Sequence, residues 1–196
     1  MIRWHRNAEN AVKQLGEDWK YLSLKPGRFH IWSSGEFRFE YKPDVSWLYK
    51  DREGARVVVW EIESGFPDNK RICGDAVLAA LLKRNNAFCY LKKSEYPQKL
   101  GPELRYDEPS EWKSDKLIGR KGELRVSPEI AAFFLVVEKK YESEVEENTE
   151  PYVSAIKNKT DLLKGVKMHI CGIPRDLKVE DMKKWLQKDP VIKQWK

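Results

Sequence analysis

The sequence predicts an α/β protein, a central mixed sheet flanked by helices, with an irregular insertion and an α/β C-terminal extension. Three observations predict it. Helical and strand-like segments follow one another as helix, antiparallel strands, helix and strand, the order of a sheet with helices packed on it. Residues 56–63, "RVVVWEIE", are apolar at alternating positions on both faces, the mark of a strand in the middle of a covered sheet. Two further segments repeat apolar residues at helical spacing.

Taken in order, "NAENAVKQLGEDWKYL" places apolar residues at 8, 12, 15, 19 and 22, an amphipathic helix with Asn7 as N-cap and Glu9 in its first turn. "RFHIWSSGEFRFEY" reads as a hairpin of residues 28–33 and 36–41, turning at Ser-Ser-Gly. "DVSWLY" and "RVVVWEIE" form a second hairpin across "KDREGA", around Gly54. Apolar residues at 72, 76, 77, 80 and 81 predict a helix over 69–84, capped by Asp68 and closed by Lys83 and Arg84. Residues 87–93 supply another strand and end a core of residues 1–93. Pro97, Pro102 and Pro109 interrupt all periodicity in an irregular insertion over 94–127. In the extension, 128–196, "SPEIAAFFLVVEKKY" opens with a good cap, and apolar spacing at 130, 134, 137, 141 and 145 favours a helix. A strand over 131–137 is the alternative, because short apolar runs suit both. "VKMHICGI" reads as a strand, and "LKVEDMKKWLQK" as a closing helix with Val179, Met182, Trp185 and Leu186 facing inward.

Composition narrows the function classes. With 196 residues, 41% of them hydrophobic, the chain can bury a core. No apolar run approaches the roughly 20 residues of a spanning helix, and the first residues lack the apolar stretch of a secretory signal, so an intracellular, cytoplasmic protein without a membrane partner is expected. Cys73, Cys89 and Cys171 are odd in number and widely spaced, which indicates neither a disulfide framework nor a zinc site. The net charge of +6 sits entirely in residues 157–196, with eleven basic and five acidic side chains. A basic end of this kind suits a polyanion such as nucleic acid, with Lys178, Lys183, Lys184 and Lys188 as its contacts, or serves as a solubilising face.

The chemistry-bearing feature is the acidic end of the doubly apolar strand. Val57, Val59, Glu61 and Glu63 share one face. Pairing across Gly54 sets the start of the preceding strand beside the end of this one, so Asp44 and Glu61 meet. Two carboxylates so placed repel unless a cation lies between them, and hard oxygen donors suit Mg²⁺ or Mn²⁺.

Pro43-Asp44 at the start of one strand and Glu61-Ile62-Glu63 at the end of the next resemble the signature of the PD-(D/E)xK nuclease superfamily, whose fold is restriction-endonuclease-like. The resemblance covers roughly residues 7–93, and departs from the family pattern where Glu63 replaces the usual lysine. It implies a metal-dependent DNA endonuclease, of restriction, junction-resolving or repair type, acting as a homodimer on DNA. Asp44 and Glu61 would hold Mg²⁺ or Mn²⁺, with the Ile62 carbonyl completing the shell and Glu63 as general base or further ligand. Lys70, at the start of the next helix, would stabilise phosphate charge, unless it is simply solvated. Glu40, or less favourably Glu17, would add an acid. His5, His30 and His169 are scattered and read as structural or exposed. Two alternatives stand beside this reading: a catalytically degenerate DNA-binding or assembly protein on the same fold, and an unrelated α/β interaction domain.

Overall fold

In the computed structural model, residues 2–32, 38–52, 54–65, 69–84, 89–92, 123–159, 164 and 166–196 are described. Helix α1 (Ile2–Asp18) is followed by β1 (Leu22–Leu24), the hairpin β2 (Phe29–Trp32) and β3 (Arg38–Tyr41), and the hairpin β4 (Val45–Lys50) and β5 (Ala55–Glu63). Next come α2 (Asn69–Arg84), β6 (Cys89–Lys92), β7 (Glu123–Val126), β8 (Glu129–Glu138), α3 (Glu142–Lys159), β9 (Lys167–Ile173) and α4 (Val179–Lys188). The protein is mixed α/β: a five-stranded sheet in the order β1-β4-β5-β8-β9, flanked by helices, with β2–β3 and β6–β7 as separate two-stranded ribbons. Among the described residues no helix is long and apolar enough to cross a membrane.

The β4–β5 register follows from the turn. Val45 pairs with Trp60 and Lys50 with Ala55. Gly54 takes φ 138°, a backbone region closed to most side chains, and its N–H donates to the Asp51 carboxylate at 3.1 Å. Strand β5 then pairs in parallel with β8, and β8 in parallel with β9. The carboxyl ends of β5, β8 and β9 and the start of antiparallel β4 therefore lie along one edge of the sheet.

Alternation along β5 divides the core in two. Val58, Trp60 and Ile62 join Val45, Trp47, Phe134 and Val136 beneath α1 and α4. Val57 and Val59 join Phe133, Leu135 and Val137 beneath α2, α3 and the β2–β3 ribbon.

Several expectations are corrected. Residues 130–145 do not form one helix: 129–138 is the strand β8, and the helical positions Tyr141 and Val145 belong to a 3-10 turn and to α3. The run is buried on both faces between two parallel strands, where backbone pairing and β-branched packing outweigh the local helical spacing. Strand β8 lies between β5 and β9 in the sheet. Helix α1 starts at Ile2, so Asn7 is interior and caps nothing; Trp4, buried one turn before Ala8, extends the apolar stripe. Leu22 lies in β1, because Lys20 turns to φ 69° and closes the helix, with the Tyr21 N–H donating to the Gly16 carbonyl at 2.8 Å. Residues 123–126, assigned to the irregular insertion, pair with β6. Trp185 is 39% exposed rather than inward, its indole N–H spent on the Gly172 carbonyl. The Ser-Ser-Gly turn, the Asp68 cap and the rest of the insertion lie outside the described residues.

Candidate functional site

Extending the Val45–Trp60 pairing by one residue sets Asp44 opposite Glu61, near enough for the Asp44 charge to act on the Glu61 carboxyl. The Ile62 N–H donates to Asp44 Oδ2 at 2.8 Å, which ties the aspartate across the strand ends. Glu61 is 7% exposed and accepts a hydrogen bond from the Tyr41 hydroxyl at 2.7 Å. Burial pushes its carboxyl up to about 8; the Tyr41 bond opposes this, and the charges of Asp44 and Asp75 add to it. The same enclosure, with the Glu61 charge, holds the Tyr41 hydroxyl well above its usual range. Glu63, two positions on and facing the same way, is also buried.

Helix α1 completes the group from the other side. His5 Nε2 lies 3.1 Å from Glu9 Oε1 and 3.7 Å from Asp44 Oδ1. One donor atom each from His5, Glu9 and Asp44 fall within 4.8 Å of one another. Contact with Asp44 raises the imidazole pKa against the opposing effect of burial. Lys25 reaches in from the β1–β2 connection, its ammonium 2.6 Å from Glu9 Oε2 and donating to Asn10 Oδ1 at 2.6 Å.

The other expected residues are placed differently. Glu40 is on β3 in the separate ribbon, 2.6 Å from Lys42 and 3.7 Å from His30; its pKa is lowered, Lys42 being the main cause. None of these contacts joins Glu40 to Asp44 or Glu61. Glu17, two turns beyond Glu9, is half exposed and pairs with Lys13. Lys70 falls in the first turn of α2, and its side chain lies outside the described residues. On α4, Lys183 is held by Asp18 and Glu180, both at 3.0 Å, and Lys184 faces Asp181 at 3.7 Å. Lys178 precedes the first residue of α4 and Lys188 is its last.

Sequence reasoning missed His5, Glu9, Lys25, Tyr41 and Asp75. For the first two a signal existed: an i, i+4 pair sharing one side of an amphipathic helix. It went unread because the helix was started at Asn7. Lys25, Tyr41 and Asp75 are brought in by tertiary packing and leave no local pattern. No family model matches the chain, and no curated protein or solved structure is significantly similar to it.

Among the described residues, the set of three donor groups whose ligand atoms lie within 4.8 Å of one another is His5, Glu9 and Asp44; Glu61 and Glu63 belong to no such set. The Glu61 carboxyl, pushed up to about 8 mainly by burial, keeps its proton at neutral pH, so it is tolerated there as a neutral group.

Proposed function

We propose that the protein is a divalent-metal-dependent nuclease that hydrolyses phosphodiester bonds of DNA at the Asp44–Glu61 edge of the sheet. The observation that carries this reading is the placing of Asp44, just before β4, opposite the buried Glu61 near the end of β5, a carboxyl that a bound cation would bring to its ionised form. Its support from the fold is the element order around that pair. One helix precedes the two antiparallel strands and another follows them; the strand expected next, β6, lies in the separate ribbon with β7, and it is β8 that runs parallel to the acid-bearing strand. That helix, strand-pair and helix order is the one in which a restriction-endonuclease-like core would present its acids.

Asp44, Glu61 and Glu63 would hold Mg²⁺ or Mn²⁺, which supplies Lewis-acid polarisation of the phosphate and a lowered pKa for attacking water. The protein's own residues do the rest. The Ile62 N–H and the Tyr41 hydroxyl fix one oxygen of Asp44 and one of Glu61; the other Asp44 oxygen lies 3.7 Å from His5 Nε2, and the Asp44 backbone N–H also donates to the Glu61 carboxylate. His5, its pKa raised beside Asp44, is a proton donor at the same edge and can deliver a proton to the departing oxygen. Lys25 stands at the Glu9 side, its ammonium engaged by Glu9 and Asn10.

A second reading, a DNA-binding protein without catalysis, is favoured by one observation: position 63 carries a glutamate. A panel of plasmid, branched and single-stranded DNA separates the two. Cleavage is expected with Mg²⁺ or Mn²⁺, absent in chelator, and reduced at least 100-fold in Glu61→Ala. Undiminished cutting by that variant would place the activity elsewhere, and binding without cutting under all conditions would leave the second reading.

A further inference from the structure

We propose that Lys140 and Arg175, gathered around Glu138 at the ends of β8 and β9, form the surface that seats the phosphate backbone of a DNA strand entering the carboxylate site; the proposal rests on the nuclease reading above. The sheet dictates the placement. Glu63 of β5 is in register with Val137 of β8, and Glu138 is in register with Ile173 of β9. The residues just past these strand ends, Lys139 and Lys140 after β8 and Arg175 after β9, therefore stand on the same edge as Glu61 and Glu63. Adjacent strands are about 4.8 Å apart, so the cations flank the acids within a few nucleotides' reach.

The geometry leaves the cations available. Glu138 is 3% exposed, and its Oε2 accepts no hydrogen bond. Lys140 Nζ lies 3.6 Å and Arg175 Nη1 3.9 Å from that oxygen, close enough for attraction and too far for a hydrogen bond. The buried carboxylate thus gathers two cations at the surface. Both side chains are open to solvent, at 56% and 51% exposure. Lys140 also lies over the Tyr141 ring, 4.4 Å from its centroid, and is engaged by Tyr141. A solvent-open ammonium and guanidinium beside a carboxylate site match a row of phosphates, which are anionic and accept several hydrogen bonds each. Lys139 is engaged by Glu142 and belongs to the wall of this surface rather than to its contacts. On α4, Lys183 lies 3.0 Å from both Asp18 and Glu180, within hydrogen-bond distance, and Lys184 lies 3.7 Å from Asp181.

The test is the salt dependence of binding by the full chain, measured by fluorescence anisotropy of a labelled duplex in chelator so that no cleavage intervenes. Loss of two phosphate contacts should reduce the slope of log K against log salt by about 1.8 in the Lys140→Ala, Arg175→Ala double variant. The Lys183→Ala, Lys184→Ala double variant should keep the wild-type slope. Circular dichroism melts of both variants report whether each remains folded; Lys140, Arg175 and Lys184 are exposed, whereas Lys183 is 16% exposed. A wild-type slope in the first double variant, or an equal loss in the second, overturns the proposal, as does a wild-type protein that retains no duplex. The nuclease reading fails separately: it does so if Glu61→Ala leaves metal-dependent cleavage intact, whatever the salt slopes show.

Discussion

Strand β5 shows two different faces to the protein. On the α1–α4 side, Trp60 stacks on Phe134 at 4.4 Å between ring centroids and meets Trp47 at 4.5 Å, and Tyr21 stacks on Trp47 at 5.2 Å. The Trp47 indole N–H is satisfied by the Val12 carbonyl at 3.1 Å. On the other side Val57 and Val59 give way to the buried Glu61, beside Tyr41, Asp44 and Asp75, and to the buried Glu63. One face is closed by rings and the other keeps carboxyl groups at its end. Aromatic packing is adequate to hold the strand, so the acids are a feature the fold tolerates rather than one it needs.

Trp60→Ala should break the first face, at a cost of about 3–5 kcal/mol in denaturant unfolding, because the indole is fully buried between two rings. Gly16→Ala strikes the same face from α1. A Cβ there would fall inside the Trp47 indole, so the variant should lose about 1–3 kcal/mol although alanine is the better helix former. A gain in melting temperature would show that α1 can shift away from the sheet.

On the acidic face the expected effect depends on pH. The Glu61 pKa is raised from an ordinary 4.5 to about 8, so between these values the folded protein holds a proton that the unfolded chain releases. Its contribution to stability is complete below pH 4.5 and is lost as pH rises to about 8, at about 1.4 kcal/mol per pH unit. Glu61→Gln should remove this slope, seen as the difference between the two proteins' unfolding free energies across the range. Equal pH profiles would show that the carboxyl is solvated. Smallest is Tyr41→Phe, which removes one hydrogen bond to Glu61 at a cost of about 1 kcal/mol. It should also move the Glu61 titration higher still, since the hydroxyl favours the ionised form. A carbon-detected titration of the glutamate carboxyl reads the direction.

Much of this was legible in the chain. The turn at Gly54 and the alternation of Val57, Val59 and Glu61 set the β4–β5 register, and with it the approach of Asp44 to Glu61. The helices at 69–84 and 179–188 followed from apolar spacing and flanking polar residues. These features are local: a hairpin and an amphipathic helix are each specified by residues close together in sequence.

Tertiary structure alone decided the rest. Residues 130–137 satisfy a helical and an extended pattern equally, and they become β8 because β5 and β9 offer parallel partners on both edges and both faces are buried. That choice puts Glu138 at the sheet edge with Lys140 and Arg175, from two chain segments more than thirty residues apart. The approach of His5 and Glu9 to Asp44 likewise depends on how α1 docks on the sheet. Pairing of distant segments is governed by the surface each buries, and no spacing within either segment records it.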